Sequence, residues 1–247
     1  MKAGMTIKWL DSTDSTQSEV QRQLDRLDNL SVIAARRQTA GRGQRGNRWL
    51  SGAGENLTFS VLVRPGNDGI PPVPVSGQFR ISQVAALAVC DLLREEDIPA
   101  MIKWPNDVYV GDRKICGMLI ENTLAGNEVG TSIIGIGINV NQTEFDPSLM
   151  NPVSMRKATG RLFDPETLLE RFCPLFMARW RQAPVRLQND WLTFLFRRNE
   201  RHSYTDLRTG QVFEGTIKGI SPNGLLEMEM PDGSLDVFAF KEISYIL

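Results

Sequence analysis

Residues 131–140 read TSIIGIGINV, an almost unbroken apolar run that few places in a fold can accept. A strand with water on one face alternates apolar and polar side chains. A run apolar at both parities must be covered on both faces, so this one belongs at the centre of a sheet. Gly135 and Gly137 fall at alternate positions within it. Glycine weakens a strand interior unless something approaches the backbone closely. Two occupants of that face stay open: a ligand on a flat floor, or a helix packed tightly on the strand.

The remaining pattern supplies neighbours for this strand. Residues 6–10, SVIAARR (31–37), LTFSVLV (57–63), IKW, DVYV and KICGMLIE all read as strands. Val20, Leu24 and Leu27 recur at helical spacing after DSTDST, and Thr16 with Glu19 fits a capping box. A long helix is expected over 77–95, with Val84, Leu87, Ala88 and Leu92 on one face. DPETLLERF opens another, with Asp164 as N-cap and Pro165 in its first turn, and Pro174 is expected to kink or break it. LQNDWLTFLF gives the last helix, and RPGNDGIPPVPV (64–75) a loop. From residue 203 short alternating runs are separated by the turns TG, SPNG and PDG. The expectation is an α+β chain: a mixed β-sheet with helices over 1–200, and a small β domain over 201–247.

Composition excludes several functions. The net charge of −1 gives no broad basic field for nucleic acid. The single histidine, His202, lies in the polar stretch RRNERHSY and is expected at the surface, which leaves no Ser-His-Asp triad. His/Cys metal spacing is absent. Cys90, Cys116 and Cys173 are widely separated, as free buried thiols in a reducing compartment would be. The beginning, MKAGMTIKWLDSTDST, has no apolar signal core, and no apolar run reaches membrane length, so a cytoplasmic protein without a membrane partner is expected.

Positive charge is concentrated locally, in Arg36, Arg37, Arg42, Arg45 and Arg48 with no acid between them. GRGQRGNRW (41–49) combines that charge with three glycines. It reads either as a solvated turn or as a mobile loop closing on an anion. It lacks the GxxxxGK[ST] spacing of a P-loop, and no helix follows it. In WPNDVYVGDRKICGM a two-residue hairpin at Gly111-Asp112 would pair Val110 with Arg113, Tyr109 with Lys114 and Asp107 with Cys116. Asp107, Tyr109, Lys114 and Cys116 would then share a face, setting an acid beside a lysine. A three-residue loop would break that alignment, and an ordinary surface ion pair is the plainer alternative. DSTDSTQ offers small hydroxyls at a helix start, where Thr16 could cap while Ser15 faces a ligand.

Taken in order, STDSTQ, QTAGRGQRGNRW, KWPNDVYV, KICGMLIE and GIGINV resemble the signature series of the biotin protein ligases (biotin–[acetyl-CoA-carboxylase] ligases). GTIKGISPNGLLEMEMPDG is similar to that family's small SH3-like β-barrel. The resemblance implies a two-step reaction. Biotin and MgATP give biotinyl-5'-AMP and pyrophosphate, and a lysine of a biotin carboxyl carrier domain then displaces AMP. It implies catalytic roles for Arg42, Lys103, Asp107 and Lys114. It assigns biotin binding to Ser15, Thr16, Gln17, Gln38, Gly41, Arg42, Gly43, Gln44, Lys114, Gly117, Gly135 and Gly137. ATP binding falls to Arg45, Arg48, Trp49, Asn106, Lys114 and Asn139, with Mg2+ carried by ATP rather than by a dedicated protein site. The glycine-arginine loop would be open when empty and fold over the adenylate. Gln44 stands where many relatives carry arginine, which implies faster release of the intermediate. The ST motif begins by residue 12, which leaves no room for the winged helix of bifunctional members, so neither DNA binding nor repression is expected. Either a monomer or a homodimer fits. Lipoate–protein ligases share the fold and reaction type, but KWPND with GRGxRG favours biotin. A non-catalytic biotin sensor would not need so much charge at a reacting centre.

Overall fold

The computed structural model describes residues 4–247, with Arg45 described by its backbone alone. Strands β1 (Thr6–Leu10), β2 (Ser31–Ala35), β3 (Leu57–Val63), β4 (Ala100–Lys103), β5 (Asp107–Val110), β6 (Arg113–Ala125) and β7 (Glu128–Ile138) form one sheet. Its order is β1-β2-β3-β7-β6-β5-β4, which puts β7 at the centre, as its apolar run requires. Only β1 and β2 pair in parallel, so the sheet is mixed.

The helices α1 (Thr16–Arg22), α2 (Phe79–Arg94), α3 (Met155–Thr159), α4 (Pro165–Trp180) and α5 (Pro184–Thr193) complete this layer. The two parities of β7 meet different neighbours. Ile134, Ile136 and Ile138 join the main core with α2 and α4, while Ile133 joins Val20 of α1, Ile33 and Leu62 in a smaller cluster. Gly135 and Gly137 continue the Ile133 face, Gly135 beneath the Gln17 side chain of α1 and Gly137 beneath the Trp49 indole. A helix side chain thus approaches the strand at Gly135, whereas at Gly137 the neighbour is a loop side chain.

Three local expectations are corrected. Thr16 and Glu19 form no capping box: Ser15 is the N-cap and makes no side-chain cap, and Thr16 is already helical. Pro174 does not break α4, which runs through it to Trp180. Pro174 and Glu170, whose carbonyl loses its partner, are both exposed, so water can take the vacant bond. The β5–β6 hairpin turns at Gly111-Asp112 and pairs Val110 with Arg113 and Tyr109 with Lys114. A register shift then sets Val108, not Asp107, opposite Cys116, leaving Ile115 as the extra residue. Asp164 does cap α4, accepting from the backbone N–H groups of Glu166 and Thr167.

Strands β8 (Arg201–Asp206), β9 (Val212–Ile220), β10 (Leu226–Glu229), β11 (Leu235–Phe238) and β12 (Ile243–Tyr245) form a second, antiparallel sheet. Tyr204, Phe213 and Phe238 stack in its interior. It docks on the larger sheet through the SPNG turn. Trp104 Nε1 donates to Gly224 O at 2.8 Å, and the Phe79 ring packs where a side chain on Gly224 would lie. All three cysteines are free and buried, and His202 lies beside Glu200 at 2.9 Å. Among the described residues no helix is long and apolar enough to cross a membrane.

Candidate functional site

The start of α1 carries a row of polar side chains into the space above the glycines. Gln38, on the segment after β2, supplies the missing cap: its Oε1 accepts from Thr16 N at 2.8 Å. Thr16 Oγ1 is thereby free to reach Ser60 Oγ at 2.9 Å. Ser60 donates to Gln17 Oε1 at 3.2 Å, and Gln17 Nε2 donates to Glu121 Oε2 and to Ile133 O, both at 3.0 Å. Glu121 in turn accepts from the Arg42 guanidinium at 2.6 Å and 3.3 Å. Uncharged amides and hydroxyls at one end thus lead to an ion pair at the other. Ser60 is fully buried on a fully buried strand, and among the described residues its hydroxyl bonds only within the row.

The glycines form the floor beneath that row. A Cβ on Gly135 would come within 2.6 Å of Gln17 Oε1, and one on Gly137 would strike the Trp49 indole. Gly117 pairs with Gly137 across β6–β7 and lies 3.0 Å, by the same measure, from Trp49 Cζ3. The floor therefore belongs to the face shared with the polar row.

The segment GRGQRGNRW folds as a tight hairpin over this floor. Gly43 N donates to Asn47 O at 2.7 Å and Trp49 N to Gly41 O at 2.9 Å, while Arg42 and Arg48 form a β-bridge. Gly41 is buried behind the loop, where a side chain would meet the Trp49 carbonyl at 2.5 Å. Trp49 Nε1 is buried and has no hydrogen-bond partner among the described residues. Gln44 Nε2 lies 3.4 Å from Met118 O. The side chain of Arg45 lies outside what the structure describes.

The hairpin β5–β6 adds charge. Lys114 Nζ lies 2.8 Å from Asp107 Oδ1, with both side chains about a third exposed. The acid and lysine meet even though the register differs from the expected one. Asn106 is pinned by donation to Met118 O at 3.0 Å. Lys103 projects from β4 between the rings of Tyr109 and Tyr245, and burial lowers its pKa against the opposing pull of Asp107.

These groups line one cavity of about 350 Å3. Ser15, Thr16, Gln17, Gln38, Arg42, Gly43, Gln44, Arg48, Trp49, Lys103, Asn106, Asp107, Lys114, Gly117, Gly135 and Gly137 all contribute to its wall. Gly41 does not, and neither does Asn139. The Asn139 amide donates to Val153 O at 3.0 Å and Lys114 O at 3.4 Å, so it braces the Lys114 backbone and does not face the cavity. Sequence reasoning passed over Ser60, Glu121 and the residues of the second sheet. Ser60 was signalled by its polarity within LTFSVLV. The wall made by Leu207, Ile243, Ser244 and Tyr245 left no local signal, because it exists only once the two sheets dock.

The geometry suits a ligand with an uncharged hydrogen-bonding head and an anionic end. The head would meet Gln38, Thr16, Ser60 and Gln17. The anionic end would meet Arg42, Lys114 and Lys103, where preorganised cations stabilise charge developing in a reaction.

Comparison with known proteins bears on this site. Residues 9–139 match the profile described as the Biotin/lipoate A/B protein ligase family. A biotin–[acetyl-CoA-carboxylase] ligase from Paracoccus denitrificans is 34% identical over 236 residues, covering 90% of this chain and 93% of that protein. The bifunctional ligase/repressor BirA of Bacillus subtilis (strain 168) is 29% identical over 85% of this chain and 64% of its own length. A solved structure of biotin protein ligase from Aquifex aeolicus in complex with biotin and ATP matches with a TM-score of 0.78 at 26% identity, covering 97% of both chains.

Proposed function

Because the chain belongs to the biotin/lipoate A/B protein ligase family, we infer that it activates biotin with ATP and transfers it to a lysine of a biotin carboxyl carrier protein or domain. The observation that carries this reading is the polar row of Gln38, Thr16, Ser60 and Gln17 beside the glycine floor, ending at the Glu121–Arg42 pair in the cavity that Lys114 and Asp107 also line. A ureido ring is uncharged, compact and rich in donors and acceptors, which is what that row can satisfy.

In the first step a biotin carboxylate oxygen attacks the α-phosphorus of ATP, a P–O bond forms, and the bond to pyrophosphate breaks. Both partners are anions. Arg42 and Lys114 neutralise the charge that brings them into repulsion, and Arg48 and Lys103 extend the positive surface toward the remaining phosphates. Trp49 offers a ring face for adenine. In the second step the carrier amine attacks the acyl carbon, AMP leaves, and the amine proton passes to a base. Asp107 is the carboxylate placed for that, once Lys114 turns from it to the acyl phosphate.

Magnesium enters on this reading as part of the nucleotide. Among the described residues no three His, Cys, Asp or Glu side chains cluster to hold a metal, and Mg2+ is commonly bound by phosphates with few protein ligands. Residues 1–200 form the catalytic unit and 201–247 the SH3-like unit that closes its cavity.

Pyrophosphate release from MgATP, measured with biotin, with lipoate and with Lys114→Ala, tests the reading. Release that needs biotin and is lost in the variant is expected. Release with lipoate alone assigns the protein to lipoate transfer, and biotin binding without release reduces it to a sensor.

A further inference from the structure

Lys103 is held by rings, not by a carboxylate. Its Nζ lies 5.0 Å from the ring centre of Tyr109 on β5 and 4.6 Å from that of Tyr245 on β12. Asp107 is its partner across the β4–β5 ladder, but the Asp107 carboxylate is bonded to Lys114. Among the described residues Lys103 makes no ion pair. A cation over an aromatic face is attracted by the ring quadrupole, and the attraction grows when both are desolvated.

Tyr245 is itself held in place from several directions. Phe196 stacks on it with centroids 6.2 Å apart, and Tyr204 meets its edge at 5.3 Å. The next carbonyl, Ile246 O, accepts from Arg197 at 2.8 Å. Its hydroxyl is buried with no hydrogen-bond partner among the described residues, so the position uses the ring and not the phenol. Tyr245 also lines the cavity that Lys103, Asp107 and Lys114 share, although it belongs to the other sheet.

We propose that Tyr245 is a positioning residue for the ligase reaction: its ring face fixes the Lys103 ammonium at the cavity wall, where it meets the phosphates of ATP. The proposal rests on the adenylation reading given above. It assigns the second sheet a defined task in the first chemical step, through one side chain acting on another.

The test is a double-mutant cycle on biotin-dependent pyrophosphate release by the full chain, with Lys103→Met and a pentafluorophenylalanine replacement at Tyr245. The fluorinated ring keeps the shape but inverts the quadrupole. In the Lys103 background it is expected to lower kcat/KM for ATP by about tenfold, leaving KM for biotin within about twofold. In the Lys103→Met background it is expected to have no further effect. Tyr245→Phe keeps a ring face and is expected to stay within about twofold of the parent. Equal losses in both Lys103 backgrounds, or no loss in either, would overturn the proposal, because the ring would then matter only for packing or not at all. So would a Lys103→Met protein as active as the parent. Failure of the parent itself to release pyrophosphate with biotin would instead overturn the reading on which the proposal stands. Thermal unfolding of each variant separates a packing defect from a positioning one.

Discussion

Lys114 is fixed at its backbone and free at its tip. Its N–H donates to Asn151 O at 2.8 Å and its carbonyl accepts from Val153 N at 2.9 Å, with the Asn139 amide beside it. Only the ammonium can move, from Asp107 to an incoming anion. Lys114→Ala is expected to reduce biotin-dependent pyrophosphate release by roughly 100- to 1000-fold, the effect of deleting one preorganised charge at a reacting centre. Steady-state assays at saturating ATP would show it, and a loss under tenfold would remove Lys114 from the chemistry. Gln44 poses the opposite question, of a charge never supplied. Its amide lines the cavity near Met118 O, and a guanidinium there would make stronger, charge-assisted bonds to a phosphate. Gln44→Arg is expected to slow dissociation of biotinyl-5'-AMP by about tenfold, the worth of ~1.4 kcal/mol. Stopped-flow displacement measures this, and an unchanged rate would refute it.

Elements show why some of this could be read in advance. The central place of β7 was legible because apolar residues at both parities admit one position in a sheet. The cap of α1 was not. Its acceptor is Gln38, 22 residues away, whereas the capping-box rule looks only three ahead. The hairpin register failed at Ile115, because a bulge changes which residues pair without changing the turn. The site was legible wherever its residues lie in motifs, and illegible where another sheet supplies the wall. Helix packing offers a test of stability. Arg179 on α4 bonds Asp91 on α2 at 2.6 Å and Asp190 on α5 at 2.6 Å, with the guanidinium mostly buried. Burial would raise the Asp190 pKa, but hydrogen bonds from Gln182 and Arg179 hold it below the usual 3.8. A carboxyl with a depressed folded pKa stabilises above its unfolded value and loses that contribution as pH falls through the folded one. Arg179→Met is expected to cost about 1 to 2 kcal/mol near neutrality by leaving two half-buried carboxylates without their partner. The Asp190 share of the deficit should shrink as pH falls through its depressed folded pKa, where that carboxyl takes up a proton. Urea unfolding at pH 7 and pH 3 would measure both, and a pH-independent deficit would contradict the assignment. At the inter-sheet turn, Gly224 has φ +82 and its missing side chain is replaced by the Phe79 ring. Gly224→Ala is expected to destabilise by about 2 kcal/mol or more, through backbone strain and loss of docking together. A melting temperature within a degree of the parent would show the turn to be dispensable.

At the scale of the molecule, the cavity draws on residues from Ser15 to Tyr245, so ligand and fold are thermodynamically linked. Besides what ATP adds, biotin at a hundred times its dissociation constant should by itself add about 2.7 kcal/mol of stability. For a chain of this size that raises the melting temperature by roughly 5 to 10 °C. The same ligands should slow tryptic cleavage at Arg42 and Arg48, whose loop lies against the site. A calorimetric scan and a timed digest provide both readings, and cleavage unaffected by ligand would mean the loop does not close on it. The two sheets are not equal partners in this linkage. The larger carries most of the shared core, while the smaller adds Tyr204, Ile217, Leu226, Met228 and Phe238 to it and meets the larger at Trp104, Gly224 and Phe79 and again where Tyr245 faces Lys103. Sub-global opening tends to begin where buried contacts are fewest. Lifting the small sheet away removes Ile243, Ser244 and Tyr245 from the cavity and leaves the seven strands intact. Warming is therefore expected to silence this protein before it melts it, with activity lost below the temperature of the calorimetric transition. The silent form, still folded around β7, would work again once the turn is back on Trp104 and Tyr245 is back beside Lys103.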